Sequence, residues 1–379
     1  MSASQPRLAV VLPGLGRVRR GAEAALSRIA AGLRDRHGYH VELFGGGSDW
    51  PHGLTGHQVF SVARERFERF PRIPALRSDC HYEEMTFALG LLGCRAFRSE
   101  RFDATLTCSY PYVNWMLQRG GWRNVRHVFS TQNGDWMCRA RSAEYRYFAA
   151  DAVACISRQH VQDIGDCSIT RLIPNGVDVG RFTGRPKPAG RPHVLMVGAL
   201  IDSKNVPAGL DAVEQIPEAT VTVVGDGPLR DEVRRRVNGP LAGRARWVQS
   251  VPSREMPAVY DGANVLLHMS RDEPFGLVYL EAMASGLTVV CHDGPTQRWV
   301  VGECGRLVDT RDPRAVVGAV REAAAAGSSP ISRTRVERDW AWDRQVDEYA
   351  LLFADLLDGR EETTLAAELN ELFGCGVSR

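Results

Sequence analysis

The chain has 379 residues, of which 44% are hydrophobic, and a formal net charge of +2. This length predicts two domains that each bury a core of their own. We expect no signal peptide, membrane-spanning run or repeat, and the lack of a basic stripe with interleaved aromatics argues against nucleic acid as a partner. The nine cysteines show no metal-ligand spacing, so reduced thiols in a cytoplasmic protein are expected.

The N-terminal half opens as a doubly wound α/β domain. Residues 8–14 form a short apolar run, and a helix is predicted from about Ala22, with residues 40–47 as the next strand. The glycine spacing between them does not fit a dinucleotide-binding fingerprint. Glu23 is interpreted as a first-turn charge that the helix dipole favours, and His127 as a structural residue within a strand.

The same half is basic. Residues 1–178 hold 23 arginines and no lysine against 17 acidic residues, which gives a net charge of +6. The arginines are spread along the chain, so solvated surfaces are one reading. A surface that faces an anionic acceptor or lipid headgroups is the other, and peripheral membrane contact stays open.

The C-terminal half alternates strands and helices. Strand, glycine turn and helix are predicted in order over residues 192–205, 219–237 and 245–270. Such alternation predicts βαβ units and a parallel sheet. Residues 335–357 are predicted to form one long helix, and the Pro/Gly-rich residues 185–192 mark the crossing between domains.

Residues 270–290 place Glu273 and Glu281 eight positions apart across the start of a helix. Gly276 lets backbone come close to a ligand, and the first turn from Leu277 offers unpaired N–H groups that suit a phosphate or a sugar oxygen. A carboxylate at Glu281 needs partners, and a ribose diol is one such partner. A solvated glutamate on a helix capped at Ser270 is the alternative.

Lys204 is a second candidate site residue, because lysine is rare in this chain. Of the 47 basic residues, only Lys187 and Lys204 are lysines, and Lys204 lies six residues after the predicted turn at Gly198. A compact charge at a strand-to-helix turn suits a diphosphate, whereas a solvated lysine on a surface loop is the alternative.

Together these segments resemble the GT-B glycosyltransferases of the large retaining family 4. Residues 273–281 match its Glu-x7-Glu signature, residues 174–178 match its Pro-Asn-Gly-Val-Asp segment, and the resemblance runs from about Asp151 to Leu356. It implies an α/β, GT-B fold of two Rossmann-like doubly wound domains that face a central cleft. Residues 1–182 would form the acceptor-side domain, with helices from about 338–379 crossing back onto it, and 190–335 the donor-binding domain.

The resemblance also implies roles for individual residues. Glu273 would contact the donor sugar, Glu281 would hold the nucleotide ribose, and Lys204 would meet the diphosphate, with Glu273 and Lys204 as the catalytic pair. No metal and no cofactor are implied beyond a nucleotide diphosphate sugar as co-substrate, with UDP- or GDP-sugars favoured. The remaining predicted donor contacts are Gly16, Gly21, Gly198, Phe275, Gly276 and Leu277.

Two departures from the family pattern stand beside these matches. Ala199 occupies the position after Gly198 where the family often has an arginine. The N-domain loop also lacks the histidine that the family commonly has near the reacting carbon. Gln132 and Asn133 can still bond sugar hydroxyls there, while Asp135 either orients an acceptor or caps the following helix.

The resemblance therefore implies a metal-independent hexosyltransferase that moves a sugar to a hydroxyl acceptor with retention of configuration. The acceptor would be a polysaccharide, lipid or secondary-metabolite precursor. A GT-B nucleotide-sugar epimerase or hydrolase is one alternative. A catalytically degenerate nucleotide-sugar-binding homologue is another.

Overall fold

The computed structural model describes residues 5–18, 20–99, 101–119, 125–132, 148–164, 169–185, 187 and 189–358. The chain divides into two compact units. One comprises the residues up to Pro174 together with those from Gln345 onward, and the other comprises Asn175–Arg344. Each unit contains one all-parallel sheet with helices, which confirms the predicted pair of α/β domains. None of the described helices is both long and apolar enough to cross a membrane.

The first unit contains a seven-stranded sheet with the order β3-β2-β1-β4-β5-β6-β7. Its inner strand β1 is flanked by β2 and β4, with Leu8 opposite Val41 on one side and Ala104 on the other. Its strands are β1 Arg7–Val11, β2 His40–Gly45, β3 Thr55–Gln58, β4 Ala104–Thr107, β5 Arg126–Ser130, β6 Ala152–Cys155 and β7 Ile169–Leu172. Its helices are α1 Gly21–His37, α2 Asp79–Gly93, α3 Arg95–Ser99, α4 Tyr112–Arg119 and α5 Arg158–Ile164.

The sequence patterns of this unit explain its core. The apolar run in β1 is buried because a central parallel strand is covered on both faces. Helix α1 buries Leu26, Ile29 and Leu33 at helical spacing and ends at His37, where Gly38 caps it with a φ of 71°. His127 is buried in β5, where its ring bonds Thr105 (2.8 Å) and Asn114 (3.1 Å), which confirms its structural role.

The second unit contains a six-stranded sheet with the order β10-β9-β8-β11-β12-β13. This is the doubly wound order, in which all strands are parallel and the strand order reverses between two adjacent strands, here β8 and β11. Its strands are β8 His193–Val197, β9 Thr220–Val224, β10 Ala245–Val248, β11 Val265–His268, β12 Thr288–His292 and β13 Gly305–Val308. Its helices are α6 Val206–Glu214, α7 Arg230–Asn238, α8 Met256–Asp261, α9 Leu277–Ala284, α10 Pro295–Val300, α11 Pro313–Ala326 and α12 Pro330–Asp339.

The prediction of one continuous helix over residues 335–357 is wrong. Helix α12 ends at Asp339, and a separate helix α13 spans Trp342–Leu357. Between them, the Val177 N–H donates to the Trp340 carbonyl (2.8 Å) and the Trp342 N–H donates to the Val177 carbonyl (3.3 Å). Backbone groups paired with a neighbouring segment cannot also complete helical hydrogen bonds, so the helix is interrupted there.

The N-terminal part of the first unit ends at Pro174, whereas the acceptor-side domain was predicted to extend to residue 182. Residues 175–184 belong with the second unit, because the Arg333 guanidinium donates to the carbonyls of Val179 (3.0 Å) and Phe182 (2.7 Å). From Gln345 onward, α13 belongs with the first unit, and its Tyr349 hydroxyl bonds the Ser130 hydroxyl at 2.9 Å.

Candidate functional site

The candidate site lies at the carboxyl ends of β8, β9 and β11, next to the point between β8 and β11 where the strand order of the second sheet reverses. In doubly wound sheets, ligands bind at this kind of position. Gly198 follows β8 and Gly225 follows β9, and the Gly198 N–H donates to the Val224 carbonyl at 3.0 Å. A Cβ on Gly225 would lie 1.8 Å from the Gly198 carbonyl oxygen, so only glycine permits this approach of the two turns. A Cβ on Gly198 would meet nothing within 4 Å, so the space beside it is open.

Lys204 and Glu273 are brought together in this site. Lys204 ends a short 3-10 turn, Asp202–Lys204, that precedes α6, and its ammonium makes a close ion pair with Glu273 Oε2. The two residues lie 69 positions apart in the chain. Both side chains are largely shielded from solvent, with 23% of Lys204 and 11% of Glu273 exposed. A partly desolvated pair of this kind holds both groups in place.

His268, at the carboxyl end of β11, is a third member of the site that the sequence analysis did not single out. Its Nε2 lies 3.4 Å from Glu273 Oε2, and its Nδ1 lies 2.9 Å from the Tyr279 hydroxyl. Burial, with a contribution from the charge of Lys204, lowers the pKa of His268 to about 3, so the ring is neutral. A neutral ring with its proton on Nε2 donates toward Glu273 and accepts from Tyr279. The sequence contains one signal for His268, which is a polar residue at the end of an otherwise apolar strand.

The turn between β11 and α9 is anchored by Phe275 and Gly276. The Phe275 ring is buried against Trp299 (5.9 Å between centroids) and Trp340 (5.6 Å). Gly276 has a φ of 83°, and a Cβ there would lie 2.4 Å from the Tyr279 ring. The side chain of Phe275 therefore serves the core. In the first turn of α9, the Tyr279 N–H donates to the Gly276 carbonyl at 3.0 Å, whereas the N–H groups of Leu277 and Val278 have no acceptor within the helix.

Glu281 lies on the same helix, in contact with Tyr260 of α8. The Tyr260 hydroxyl donates to Glu281 Oε2 at 2.6 Å, and Tyr260 is fully buried. Burial raises the pKa of Glu281, although the Tyr260 bond and the charge of Arg181 act in the opposite direction. The other oxygen, Oε1, accepts no hydrogen bond from the part of the chain that the structure describes. The hydrogen bond from Tyr260 thus fixes the position of the Glu281 carboxylate, which argues against the alternative of a solvated glutamate.

Arg181 borders this carboxylate. Its guanidinium lies 5.2 Å from the centre of the Phe182 ring and donates to the Ser253 hydroxyl at 3.0 Å. The Phe182 ring in turn packs edge-on against Tyr260, with 5.6 Å between centroids. The predicted carboxylate therefore has aromatic and cationic neighbours that the sequence pattern alone did not indicate.

The predicted residues of the N-terminal half belong to the first unit. Gly16 has a φ of 71°, and a Cβ there would lie 2.9 Å from the Trp50 ring, so the turn after β1 requires glycine, while its predicted contact with the donor stays a prediction. Gly21 begins α1, and a Cβ there would meet nothing within 4 Å. The Gln132 side chain hydrogen-bonds the Tyr349 hydroxyl. Asn133 and Asp135 lie outside the described residues.

No group of three or more His, Cys, Asp or Glu side chains with a metal-binding arrangement occurs among the described residues. Metal independence therefore stays a prediction. Ala199, which stands where the family often has an arginine, is exposed beside Gly198.

Comparison with known proteins adds to this geometry. The family model described as Glycosyltransferase Family 4 matches residues 19–181, and the model described as Glycosyl transferases group 1 matches residues 191–325. A GDP-mannose-dependent alpha-(1-6)-phosphatidylinositol monomannoside mannosyltransferase of Mycolicibacterium smegmatis is 27% identical over 57% of this chain and 64% of the relative. A phosphatidyl-myo-inositol mannosyltransferase of the same organism is 34% identical over 45% of this chain and 48% of the relative. The alignments thus span about half to two thirds of these curated relatives.

Solved structures match over nearly the whole chain. The sucrose-phosphate synthase of Thermosynechococcus elongatus superimposes with a TM-score of 0.73 at 21% identity, covering 94% of this chain and all of that one (100%). Anabaena Alr3699/HepE in complex with UDP-glucose gives a TM-score of 0.67 at 16% identity, covering 92% of this chain and 99% of that one. At these identities, the likeness shows a shared fold.

Proposed function

Because this chain belongs to the family 4, group 1 glycosyltransferases and has their GT-B fold, we propose that it transfers a sugar from a nucleotide diphosphate donor to a hydroxyl acceptor with retention of configuration. The observation that carries the proposal is the ion pair between Lys204 and Glu273 at the carboxyl end of β8. Glu281 lies on the helix that follows Glu273 and supplies a second carboxylate. The proposed donor is a UDP- or GDP-sugar.

In this mechanism, Lys204 stabilises the negative charge that develops on the departing diphosphate. Its ammonium is already oriented by Glu273 before the donor binds, and such preorganised charge lowers the barrier because no reorganisation is needed during the reaction. The first turn of α9, behind Gly276, adds backbone amides and the positive end of a helix dipole.

Glu273 is proposed to accept hydrogen bonds from the donor sugar. The neutral His268 ring and Lys204 together hold its carboxylate, so one rotamer is favoured over others. Glu281 is proposed to accept a hydrogen bond from the ribose through Oε1, while Tyr260 fixes the position of Oε2. Tyr260 and His268 act as positioning residues that orient the two glutamates.

The reaction needs no dedicated base. The bond between the anomeric carbon and the donor phosphate oxygen breaks, and a bond from that carbon to the acceptor oxygen forms on the same face. The acceptor proton passes to the departing phosphate oxygen, which becomes more basic as the bond breaks. This route is consistent with an N-domain loop that lacks the family histidine.

A nucleotide-sugar-binding protein without turnover is the second candidate, because Ala199 stands where the family often has an arginine. The test begins with a panel of nucleotide sugars in a thermal-shift assay, since a ligand that binds the native state raises its melting temperature. Nucleotide release is then measured with and without hydroxyl acceptors. We expect release only when an acceptor is present.

Release without an acceptor would favour a hydrolase, and conversion of the donor sugar to an epimer would favour an epimerase. Donor binding without turnover across a broad acceptor panel would favour the non-catalytic candidate.

A further inference from the structure

A cavity in the first unit lies between the start of α2 and the segment that precedes this helix. It encloses about 170 Å³. Pockets that bury drug-sized molecules enclose roughly 300–1,000 Å³, so this one suits a smaller ligand, such as a single sugar ring. Its lining combines three aromatic rings with two carboxylates, one guanidinium and one hydroxyl. The lining residues are Phe67, Phe70, Tyr82, Glu68, Asp79, Arg72 and Ser78.

The three rings form one aromatic cluster. Phe67 and Tyr82 stack with 5.0 Å between centroids and 20° between their planes. Phe70 stands edge-on to both, with centroids 5.0 Å from Phe67 and 5.5 Å from Tyr82. Tyr82 is buried, whereas 50% of Phe70 is exposed. The core therefore fixes one ring of the cluster, and Phe70 offers free ring surface to a ligand.

The charged groups around these rings are available to a ligand. Glu68 and Arg72 are exposed, and Asp79 is half-buried. Their side chains form no hydrogen bond or ion pair with the described part of the chain. Carboxylates accept hydrogen bonds and a guanidinium donates them, so the cavity offers both acceptors and donors beside an aromatic surface.

A pyranose ring matches this combination of groups. The C–H groups on the face of such a ring are apolar and pack on an aromatic ring, while each hydroxyl at its rim both donates and accepts. Carboxylates and guanidinium groups bind hydroxyls through charge-assisted hydrogen bonds. An organic cation suits the cavity less, because Arg72 would repel it and because the aromatic rings contact each other instead of standing apart around a central space.

The walls of the cavity are tied together before any ligand binds. The Tyr82 hydroxyl donates to the Pro71 carbonyl at 2.5 Å, which holds the preceding segment against α2. The buried Glu83 carboxylate pairs with Arg64 at 3.1 Å, and Arg64 opens the 3-10 turn that carries Phe67. Little conformational entropy would therefore be lost when a ligand enters.

Glu83 also connects the cavity with the carboxyl edge of the first sheet. Its Oε1 makes a close ion pair with Arg17, which lies between β1 and α1. Arg17 in turn donates to the Ser61 hydroxyl at 3.4 Å, in the connection that follows β3. Ligands of doubly wound domains bind outside the carboxyl ends of the strands, so the cavity borders the edge where an acceptor is expected.

We propose that this cavity is a subsite for one sugar ring of a saccharide acceptor. Phe70 packs against the face of the sugar ring, and Glu68, Asp79 and Arg72 bind its hydroxyls. The role of that sugar as part of an acceptor rests on the proposed function, whereas the binding of a sugar in the cavity does not. Such a subsite favours a saccharide over the lipid and secondary-metabolite precursors that the family resemblance leaves open.

The test is saturation-transfer-difference NMR of the full chain, titrated with sugars in the absence of donor. The probes are the methyl α-glycosides of glucose, mannose and galactose, together with maltotriose and mannotriose. We expect at least one of them to bind with a dissociation constant on the order of 1 mM, because a single ring makes few contacts.

Two kinds of variant test the contacts. Phe70→Ala should weaken sugar binding about 2- to 12-fold, which corresponds to the loss of one aromatic packing contact. Glu68→Gln and Asp79→Asn should each weaken it about fivefold, since a neutral hydrogen bond replaces a charged one.

Matched control variants lie outside the cavity. Phe60→Ala removes another exposed phenylalanine of the same unit, and Asp103→Asn removes an exposed carboxylate at the amino end of β4. Both should bind sugar like the unaltered protein, and circular dichroism checks that every variant is folded. If Phe70→Ala does not fold, the Glu68 and Asp79 variants decide the matter.

Three results would overturn the proposal. One is that none of the sugars binds. Another is binding that the cavity variants leave unchanged or that the controls weaken equally, which would place the sugar elsewhere. The third is binding of choline without binding of any sugar, which would make the cavity a cation site. None of these measurements involves the donor, so failure of the subsite and failure of the proposed transfer reaction are distinguished.

Discussion

Replacing Glu281 by alanine tests the ribose assignment most directly. One oxygen of the carboxylate, Oε2, already accepts from Tyr260 at 2.6 Å, and Oε1 is left for a ligand. We therefore expect one charged hydrogen bond to the ribose to be lost, which is about 1.5–3 kcal/mol. The dissociation constant of the nucleotide diphosphate should increase about 10- to 150-fold, with or without the attached sugar.

The assay is isothermal titration calorimetry with a ribonucleotide and its 2′-deoxy analogue against both proteins. The unaltered protein should bind the ribonucleotide more tightly than the deoxy analogue, and Glu281→Ala should bind both with the same affinity. The two proteins and the two nucleotides form a double-mutant cycle, which isolates the interaction free energy between Glu281 and the 2′-hydroxyl. A variant that still discriminates against the deoxy analogue would refute the ribose assignment. Removing the acceptor of a buried Tyr260 hydroxyl also costs about 1–3 kcal/mol of stability, so binding is measured well below the melting temperature.

Tyr260→Phe is the matched control, because it keeps the Glu281 carboxylate and removes the hydroxyl that donates a hydrogen bond to it. Burial raises the pKa of Glu281 above its ordinary value of 4.5, and the Tyr260 bond opposes that rise. The ionised carboxylate is the form that accepts from ribose, so affinity should fall as pH decreases toward the raised pKa. In Tyr260→Phe that pKa should rise further, and the loss of affinity should begin at a higher pH than in the unaltered protein.

Other residues of the candidate site give separate expectations. Lys204→Ala should reduce kcat about 10²- to 10³-fold, because the residue faces charge that develops in the transition state; near-normal turnover would mean that an arginine meets the diphosphate instead. Glu273→Gln should depress turnover while the affinity for free nucleotide stays unchanged, and a parallel loss of nucleotide affinity would contradict a role confined to the sugar. Transfer should continue in excess EDTA with the donor's anomeric configuration retained, as read from NMR coupling constants; activity that returns only with magnesium or manganese, or an inverted linkage, would contradict these two expectations.

The sequence by itself determined most of the strands and helices, and it proposed the place of the candidate site. Apolar runs such as β1 and β11 predicted buried parallel strands, because a strand covered on both faces has no polar side to display. The turn glycines were also readable, since Gly276 occupies a backbone conformation that other residues adopt at a cost. The Glu-x7-Glu spacing around the start of α9 is likewise a local pattern.

The tertiary structure decided which side chains meet. Lys204 pairs with Glu273, and Tyr260 bonds Glu281, because neighbouring strands and helices of one sheet bring distant segments to the same edge. The neutral state of His268 depends on burial that no local pattern encodes.

The interruption between α12 and α13 has the same kind of cause. The helical periodicity of residues 335–357 is continuous in sequence, so a local reading predicts one helix. The backbone of Val177, more than 150 residues earlier, takes the hydrogen bonds that would have continued it. Periodicity reports the preference of a segment for a conformation, whereas a competing partner exists only once the chain has folded.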